Sequence, residues 1–516
     1  MLCVCGAIDK DKKMNKTCTI CFTSDIHGYF SPVNYATGAP TATGLANCMS
    51  RFPHDGNTLI IDGGDTLQGS PLTYYLHTLG MQAHSLPARL MNIGGYAFVT
   101  LGNHDFNYGR AVLEQYLDEL DAVCLCANVS GLPKVQKTAV VTLENGLRVG
   151  LTGITTQYIN VWEKPENLRG ITISEPLPAA AAALHELKQQ QVDLTVCIYH
   201  GGYENDLQSG ALLSDTGENQ ACRLCRELDF DILLTGHQHM AVENCCLNGT
   251  FTCQPPDKAR SFIRMEVTAD EGGVRAVSSL VPAGEETLPE AAAALAEVER
   301  ATQEWLDQPV GHLDVPLQPD TPIRMAANGS LIANFFNQVQ LEASGAEISC
   351  TALGNEVRGF DRDVTIRDVV ATYIYPNTLK TLEVDRAVLK TALERSAAYF
   401  ALVDGELRVS DAFLKPKVEH YNYDFFSGIE VTYDLRRAVG ERVVSIRYEG
   451  RELDDQRKLS LCMNNYRATG TGGYEVYTRC PILREQPNEI VEMIIDYIDR
   501  HRDILVDKSR YLTVLY

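Results

Sequence analysis

Residues 17–28, with the sequence TCTICFTSDIHG, join a short apolar run to a carboxylate and an imidazole. The apolar part is rich in Thr, Ile, Cys and Phe, which is typical of a central strand in a buried sheet. Helical patterns such as GRAVLEQYLDEL separate it from further short runs, which are NTLIIDGG, YAFVTLG, AVCLCANV, LRVGLTGI, DLTVCIYHGG and DILLTGHQH. Regular alternation of strand and helix predicts a layered α/β domain.

Metal-binding residue types follow five of these runs. In open α/β sheets, ligand-binding side chains gather beyond the carboxyl ends of the strands, so we expect these residues to share one crevice. They are Asp25 and His27, Asp65, Asn103 and His104, His200, and His237 with His239.

The residue types fit two divalent cations, because imidazole and carboxylate suit Mn, Zn, Fe, Co or Ni, while Ca would need more oxygen ligands. We expect Asp65 to bridge the two ions. Two ions about 3.5–4 Å apart clamp an in-line displacement at phosphorus and acidify a bridging water near neutral pH. His104 is predicted to stabilise phosphoryl oxygens or to protonate the leaving alkoxide. The first ion would take Asp25, His27, Asp65 and His239, and the second Asp65, Asn103, His200 and His237.

Each of these motifs alone is weak, since an isolated histidine is usually a core or surface residue. Five strand ends followed by the expected ligand types argue against that structural interpretation. Two cysteine pairs, Cys18/Cys21 and Cys222/Cys225, also have metal-ligand spacing. We favour buried free thiols for both pairs over a joint zinc site, because the runs around them are apolar or helical.

Composition limits the classes of partner. Lys and Arg total 45 against 67 Asp and Glu, a formal net charge of −22, which disfavours binding to a nucleic acid polymer. No apolar run approaches the roughly 20 residues that cross a bilayer, and the first residues do not resemble a secretory signal. Many of the 16 cysteines sit inside apolar runs, where a buried free thiol behaves as a small hydrophobic residue. This placement predicts a reducing, cytoplasmic compartment. The oligomeric state stays open.

The pattern divides the chain into four segments. Residues 286–308 are rich in Ala and Glu, with apolar residues at helical spacing and prolines near both ends, and predict a linking helix. A second α/β block follows. The expected segments are an N-terminal extension at 1–16, the metal domain at 17–285, the helix at 286–308 and a second domain at 309–516.

The motifs DIHG, GD at 64–65, GNHD, HGG and GHQH resemble the signature of calcineurin-like metallophosphoesterases. The longer strings IDGGDTLQGSPL, LGNHDFNYG, ANVSG, YIYPNTL and MNNYRATGTGGYE resemble the 5'-nucleotidase superfamily, and most of all its 2',3'-cyclic-nucleotide 2'-phosphodiesterase/3'-nucleotidase branch. The resemblance runs from about residue 17 to 480. It implies a four-layered αββα metal domain, a linking helix and a C-terminal substrate domain, which relatives rotate between open and closed forms.

Two positions depart from the pattern of many 5'-nucleotidases. Asn107 stands where an Asp forms a dyad with the catalytic histidine, as in the cyclic branch, so it can orient His104 but cannot stabilise an imidazolium by charge. The motif GHQH carries a second imidazole, His239, where UDP-sugar hydrolases carry Gln. The lack of a recognisable signal is also unusual, since many relatives are exported.

The resemblance further implies that two aromatic rings of the second domain clamp the nucleobase. By motif position these rings are Tyr423 and Tyr466, although Tyr423, Phe425 and Phe426 also fit a strand of core aromatics. Asn464 would read the base or the ribose. Arg358 matches an arginine aimed at phosphate, with a surface ion pair as the alternative.

The favoured function is hydrolysis of 2',3'-cyclic nucleotides and 3'-nucleotides by a dinuclear metal centre. A 5'-nucleotidase or UDP-sugar hydrolase is the first alternative. A non-catalytic nucleotide-binding protein on the same fold is the second, and it would be marked by loss of a ligand or of His104. Neither loss is found in the sequence.

Overall fold

The structure is a computed structural model, and it describes residues 16–78, 85–213, 217–373, 375, 377–403, 405–415 and 418–516. The chain forms two compact units. The first comprises the described residues up to Asn34 together with Ala39–Thr302, and the second comprises Tyr35–Gly38 and Gln303–Tyr516. The expected N-terminal extension lies outside the described residues except for Lys16, which begins the first strand.

The first unit contains two facing sheets. The strands of the seven-stranded sheet, in spatial order, are Gly273–Pro282, Ser261–Asp270, Lys16–Thr23, Thr58–Asp62, Phe98–Val99, Val123–Leu125 and Val135–Gln136. Those of the six-stranded sheet are Val242–Leu247, Thr250–Gln254, Ile232–Thr235, Leu194–His200, Arg148–Thr155 and Thr138–Thr142.

Apolar side chains from both sheets meet in one core. Ile20, Phe22 and Ile61 of the first sheet pack with Leu151 and Ile198 of the second, all fully buried. Alternate residues of a strand point to opposite faces, so each sheet buries its other face under helices. The result is the expected four-layered αββα arrangement. The helices of this unit are Leu45–Met49, Pro71–Thr78, Leu86–Ile93, Arg110–Glu119, Ile159–Trp162, Pro176–Gln189 and Ala221–Glu227, and the helix Pro289–Leu306 begins in this unit and ends in the second.

The central strands of both sheets run parallel. Lys16–Thr23 pairs in parallel with Thr58–Asp62, and Leu194–His200 pairs in parallel with its two neighbours, Arg148–Thr155 and Ile232–Thr235. Within each sheet, the carboxyl ends of these strands therefore lie along one edge. Two small ladders complete the strands of this unit, Val33–Asn34 with Ala39–Pro40 and Val129–Ser130 with Thr172–Ile173.

The second unit is also α/β. The strands of its main sheet, in order, are Asp424–Ser427, Ile348–Ala352, Leu459–Asn464, Thr378–Val384 and Ile482–Glu489. The smaller sheets contain Arg451–Glu452, Val443–Tyr448, Ile429–Asp434 and Leu512–Leu515; Asp363–Thr365, Pro309–Leu313 and Asp503–Ile504; and Phe400–Val403 with Glu406–Val409. Its helices are Pro322–Asn328, Leu331–Ser344, Ile366–Thr372, Arg386–Ala397, Asn465–Ala468 and Ile490–His501.

Local sequence explains where these helices begin and end. Ser330 caps Leu331–Ser344 by accepting the N–H of Ala333, and Gly345 ends the helix in the left-handed conformation that glycine adopts without a steric penalty. The helix predicted at 109–120 is present as Arg110–Glu119. The helix Pro289–Leu306 lies within the segment for which the sequence predicts a linking helix.

The paired cysteines do not converge. Cys18 belongs to the core between the two sheets, whereas Cys222 and Cys225 lie on the helix Ala221–Glu227 and pack in a separate cluster. Burial raises the pKa of Cys18, Cys21 and Cys225 to about 12, which keeps these thiols protonated. All four are free, as favoured from the sequence, and the joint zinc site is wrong.

Among the helices that the structure describes, none combines the length and the apolar composition that a transmembrane crossing requires.

Candidate active site

The predicted metal ligands lie just beyond the carboxyl ends of parallel strands. Asp25 follows the strand Lys16–Thr23, Asp65 follows Thr58–Asp62, and His200 is the last residue of Leu194–His200. Asn103 and His237 follow Phe98–Val99 and Ile232–Thr235 in the same way.

Five of these residues hold a left-handed backbone conformation. A non-glycine residue with positive φ costs about 1–3 kcal/mol, and such strain concentrates at functional sites. The surrounding loops must therefore hold these side chains firmly in place. The five are Asp25 (φ 55°), His27 (51°), Asp65 (58°), His237 (75°) and His239 (57°).

Asp25, His27 and His239 form the first ligand group, in which the candidate ligand atoms lie within 4.8 Å of one another. The Nδ1 atom of His27 is 2.9 Å from the carbonyl oxygen of Gln68, and since a carbonyl only accepts, Nδ1 carries the proton. Burial lowers the pKa of His27 to about 3, so the neutral ring directs the Nε2 lone pair into the group. That atom is 3.0 Å from Nε2 of His239, and such a donor set suits a cation.

Asp65, His200 and His237 form the second group. Nδ1 of His200 is 2.7 Å from the carbonyl oxygen of Gly63, so Nε2 is the ring atom that faces the site, 3.2 Å from Oδ1 of Asn103. Nε2 of His237 is 2.8 Å from a carboxylate oxygen of Glu218, which leaves Nδ1 facing the same Asn103 oxygen at 2.9 Å. A lone pair and an amide oxygen that face each other also suit a cation.

Asp65 touches both groups. Its Oδ2 atom lies 3.2 Å from Nε2 of His200 and 3.8 Å from Nε2 of His27, and the residue is 1% exposed. Its other oxygen accepts the backbone N–H of His104 at 2.7 Å. Burial alone would raise its pKa, yet the charges of His200 and His104 outweigh that effect and hold the pKa of Asp65 well below its usual range.

A second buried carboxylate, Asp105, holds the ligand loops together. It accepts the backbone N–H groups of Asp65, Thr66, Leu67 and Gly102 at 2.8–3.0 Å. Each bond satisfies a buried donor that would otherwise be unpaired. Asp105 is part of the GNHD motif, although the motif alone predicts no role for it, and no local motif marks Glu218.

His104 lies beside the two groups without joining either. Its ring centroid is 5.1 Å from that of His27, and its Nδ1 atom is 2.7 Å from Oδ1 of Asn107. Asn107 therefore contacts His104 as the sequence predicts. This arrangement leaves Nε2 of His104 as the ring nitrogen available to a substrate.

The second unit contains an aromatic cavity of about 250 Å³. Tyr466 and Asn464, two of the residues predicted to bind the base, line it, and the Asn464 side chain also caps a short helix by accepting the N–H of Arg467 at 2.7 Å. Three further rings, Tyr373, Tyr375 and Tyr421, were not predicted, although Tyr373 and Tyr375 lie in the string YIYPNTL. The full lining is Ala352, Tyr373, Tyr375, Asn377, Tyr421, Asn464 and Tyr466.

Tyr423 is not a ring of this cavity, and its predicted stacking role is wrong. It is 3% exposed, and its hydroxyl donates to the carbonyl oxygen of Ala326 at 3.0 Å. Its ring packs 4.9 Å from the rings of Tyr399 and Phe425, in the core of the second unit. The alternative of a core aromatic is the correct one. The cavity-lining Tyr421 lies within the 3-10 turn His420–Asn422, and Tyr423 follows that turn into the core.

Arg358 lies exposed in the loop that precedes Phe360. Its side chain forms no ion pair within the described ranges of the chain, so the alternative of a surface ion pair is not supported. The predicted contact with phosphate stays a prediction.

Comparison with known proteins defines the class. The family model for calcineurin-like phosphoesterases matches residues 18–241, and the model for the 5'-nucleotidase C-terminal domain matches residues 309–479. A solved candidate 5'-nucleotidase from Staphylococcus aureus, in complex with alpha-ketoglutarate, is 30% identical with a TM-score of 0.72, covering 97% of this chain and all of that one.

Curated relatives that this chain resembles are also named as nucleotide phosphoesterases. A 2',3'-cyclic-nucleotide 2'-phosphodiesterase/3'-nucleotidase of Haemophilus influenzae is 26% identical over 92% of this chain and 83% of its own length. A trifunctional nucleotide phosphoesterase protein of Bacillus subtilis is 24% identical over 94% of this chain, which spans 38% of that relative.

The αββα fold and its two ligand groups define a metal-dependent phosphoester hydrolase of the calcineurin-like class, which uses two divalent cations. Within that class, the chain belongs to the 5'-nucleotidase family.

Proposed function

We propose that the protein hydrolyses 2',3'-cyclic nucleotides and 3'-nucleotides to nucleosides and phosphate. The observation that carries this proposal is the position of Asp65, whose Oδ2 atom neighbours a histidine of each ligand group. A carboxylate shared in this way suits a dinuclear centre. When bound, two cations would supply Lewis acidity at the phosphoryl group and would lower the pKa of a water that attacks it.

The proposed ligands divide between the two ions. Asn103 joins the second set because an amide oxygen that faces two imidazole nitrogens supports coordination. Mn, Zn, Fe, Co or Ni fit this mixture of nitrogen and oxygen ligands. Asp25, His27, Asp65 and His239 would hold one ion, and Asp65, Asn103, His200 and His237 would hold the other.

His104 performs the proton chemistry. Asn107 holds Nδ1 of the ring, so Nε2 is the atom that protonates the departing alkoxide or donates to a phosphoryl oxygen. The bond from the His104 backbone to Asp65 ties this ring to the bridging carboxylate. The His104 ring is therefore held at a fixed place beside the proposed metal centre.

The aromatic cavity of the second unit binds the base. Stacking on aromatic faces contributes about 1–3 kcal/mol per base and tolerates every base, so Tyr375, Tyr421 and Tyr466 favour nucleotides without strict base preference. Asn464 offers its amide to the base or ribose. Arg358, exposed and unpaired among the described residues, is the proposed phosphate contact.

Asn107 and His239 favour the cyclic branch over the 5'-nucleotidase or UDP-sugar hydrolase alternative. The Haemophilus relative named for 2',3'-cyclic substrates supports the same order. The Staphylococcus structure, named as a 5'-nucleotidase, supports the alternative. The non-catalytic alternative has less support, because every expected ligand and His104 lie together.

A substrate panel separates these activities. Purified protein with Mn²⁺ is assayed against 2',3'-cAMP, 3'-AMP, 5'-AMP and UDP-glucose, and we expect the first two to have the highest kcat/KM. A kcat/KM for 5'-AMP or UDP-glucose far above both would reverse the order. Absence of turnover on all four, with metal bound, would favour the non-catalytic alternative.

We further propose a cytoplasmic location and the domain boundaries predicted from the sequence, with residues 17–285 as the metal domain and 309–516 as the substrate domain. The 14 cysteines in the described part of the chain are all free, which supports a reducing compartment. Alkylation of thiols in rapidly quenched cells, followed by mass spectrometry, should find them reduced. Limited proteolysis should yield fragments that end close to residues 285 and 309, and disulfides or other cut sites would contradict these proposals.

A further inference from the structure

A chain of hydrogen bonds continues behind His104 to a buried carboxylate that the proposed chemistry does not use. Oδ1 of Asn107 faces Nδ1 of His104 at 2.7 Å, and Nδ2 of Asn107 donates to Oε2 of Glu163 at 2.6 Å. Glu163 is 7% exposed and follows the short helix Ile159–Trp162. It lies 56 residues from Asn107 in the sequence, so no local motif predicts the contact.

The other oxygen of Glu163 is held as firmly. Oε1 accepts the backbone N–H of Lys164 at 2.6 Å and Nδ2 of Asn167 at 2.9 Å. Asn167 also donates to the backbone carbonyl of Asn107 at 3.1 Å. Within the described ranges, no lysine or arginine side chain neutralises Glu163, so its charge is directed at the amide of Asn107.

The direction of donation in this series of hydrogen bonds determines which nitrogen of His104 carries a proton. A carboxylate only accepts, so Asn107 must turn its NH₂ group toward Glu163 and its oxygen toward His104. That oxygen also only accepts, so Nδ1 of His104 must be the protonated nitrogen. Nε2, which faces away from Asn107, is then the atom that exchanges a proton with substrate.

Without Glu163 the amide would have no fixed orientation. An asparagine amide has nearly the same shape when its oxygen and nitrogen exchange places, so only its hydrogen bonds decide between the two. The reversed amide would donate to Nδ1 and stabilise the other tautomer of His104. That tautomer already carries a proton on Nε2 but has lost the acceptor behind Nδ1 that an imidazolium needs.

We propose that Glu163 is a positioning residue that sets the orientation of Asn107 and, through it, the tautomer of His104. The three residues form a relay. Position 107 carries no carboxylate, and Glu163 supplies one behind the Asn107 amide. A carboxylate that accepts from Nδ2 also polarises the Asn107 carbonyl and strengthens its bond to the ring. The inference rests on the proposed function for the role of His104, but its structural part can be tested separately.

The first test observes the tautomer directly. Full-length protein labelled with ¹⁵N-histidine and loaded with diamagnetic Zn²⁺ gives ring-nitrogen shifts that distinguish the tautomers, and His104→Gln assigns the signal. We expect protonated Nδ1 in the parent and a substantial Nε2-protonated fraction in Glu163→Ala. Glu166→Ala, an exposed carboxylate in the same loop, is the matched control and should leave the signal unchanged. An unchanged tautomer in Glu163→Ala would overturn the proposal.

The second test uses a charge exchange, which stays informative if Glu163→Ala folds poorly. Asn107→Asp alone sets a second carboxylate against Glu163, and we expect kcat for 3'-AMP to fall at least about tenfold. Adding Glu163→Gln places an amide donor opposite the introduced carboxylate, so the double variant should recover to within about threefold of the parent. Equal activity of the single and double variants would contradict the relay.

The leaving group separates positioning from a merely structural role. A poor leaving group such as a nucleoside alkoxide needs a proton, whereas p-nitrophenolate does not, so Glu163→Gln should impair 3'-AMP hydrolysis several-fold more than p-nitrophenyl phosphate hydrolysis. Equal losses on both would indicate a structural residue and refute the proposal. If His104→Gln keeps full activity on 3'-AMP, the proposed function of His104 fails, while the tautomer experiment still decides the role of Glu163.

Discussion

Nε2 of His27 lies 3.0 Å from Nε2 of His239, although 212 residues separate them in the chain. The Gln68 carbonyl holds the proton of His27 at Nδ1, so this approach cannot be a hydrogen bond donated by His27 from Nε2. The two rings converge because each follows a strand end at the same edge of the fold. The pair therefore presents two imidazole nitrogens at a spacing that one cation could bind.

Replacing Asp65 with Asn should remove metal and activity together, because both ligand groups lose their shared carboxylate. We expect less than half of the parent's metal content by elemental analysis and at least a hundredfold loss of kcat on bis-p-nitrophenyl phosphate. Asp118→Asn, at a side chain that is 64% exposed, is the control and should change neither. Parental turnover in Asp65→Asn would disprove the bridging role.

Replacing Asp105 with Asn should destabilise the first unit. The carboxylate accepts four backbone N–H groups, and the amide of Asn would present a donor to some of them. We expect a loss of about 3 kcal/mol in the free energy of unfolding and a Tm lower by about 5–10 °C. Calorimetry with Asp118→Asn as the control checks this, and an unchanged Tm would show that the bonds are dispensable.

Metal binding should release a proton from His200. Burial acts to lower the pKa of this ring, but the Asp65 carboxylate outweighs it and raises the pKa to about 10 in the metal-free protein. A cation must displace that proton, so its apparent affinity should rise about tenfold per pH unit between pH 6.5 and 8.5. Competition with a chelating dye measures the slope, and a flat profile would contradict the assignment of His200 as a ligand.

Tyr466→Ala and Tyr421→Ala should raise KM for 3'-AMP by about 5–150-fold, because each removes a stacking surface worth about 1–3 kcal/mol. Neither should change the hydrolysis of bis-p-nitrophenyl phosphate, which has no base. Tyr423→Phe is the contrasting variant: it should leave KM unchanged and cost about 1 kcal/mol of stability, through the lost bond to Ala326. An equal loss on both substrates in Tyr466→Ala would indicate a structural tyrosine.

Much of the fold and the centre could be predicted from local patterns. Apolar runs followed by Asp25, Asp65 and His200 mark strands that end at one edge, and the structure brings these residues into two groups. The helix at 109–120 was predictable because apolar spacing is a local property of the chain.

The errors and omissions concern contacts that the local sequence does not encode. Tyr421 and Tyr423 differ by two positions, and only the packing of the turn decides which ring lines the cavity and which enters the core. Glu163 and Glu218 are ordinary glutamates in their local sequences. Their contacts with Asn107 and His237 arise from loops that folding brings together.

The amino-acid sequence alone specifies the layered α/β class, the family resemblance and the identity of the residues at the strand ends, because periodicity and residue chemistry are carried by short segments. The shared position of Asp65, the tyrosines of the cavity and the carboxylate behind Asn107 depend on tertiary structure. Each of these features depends on contacts between segments that are far apart in the sequence. Such contacts form only when the sheets and their loops have packed.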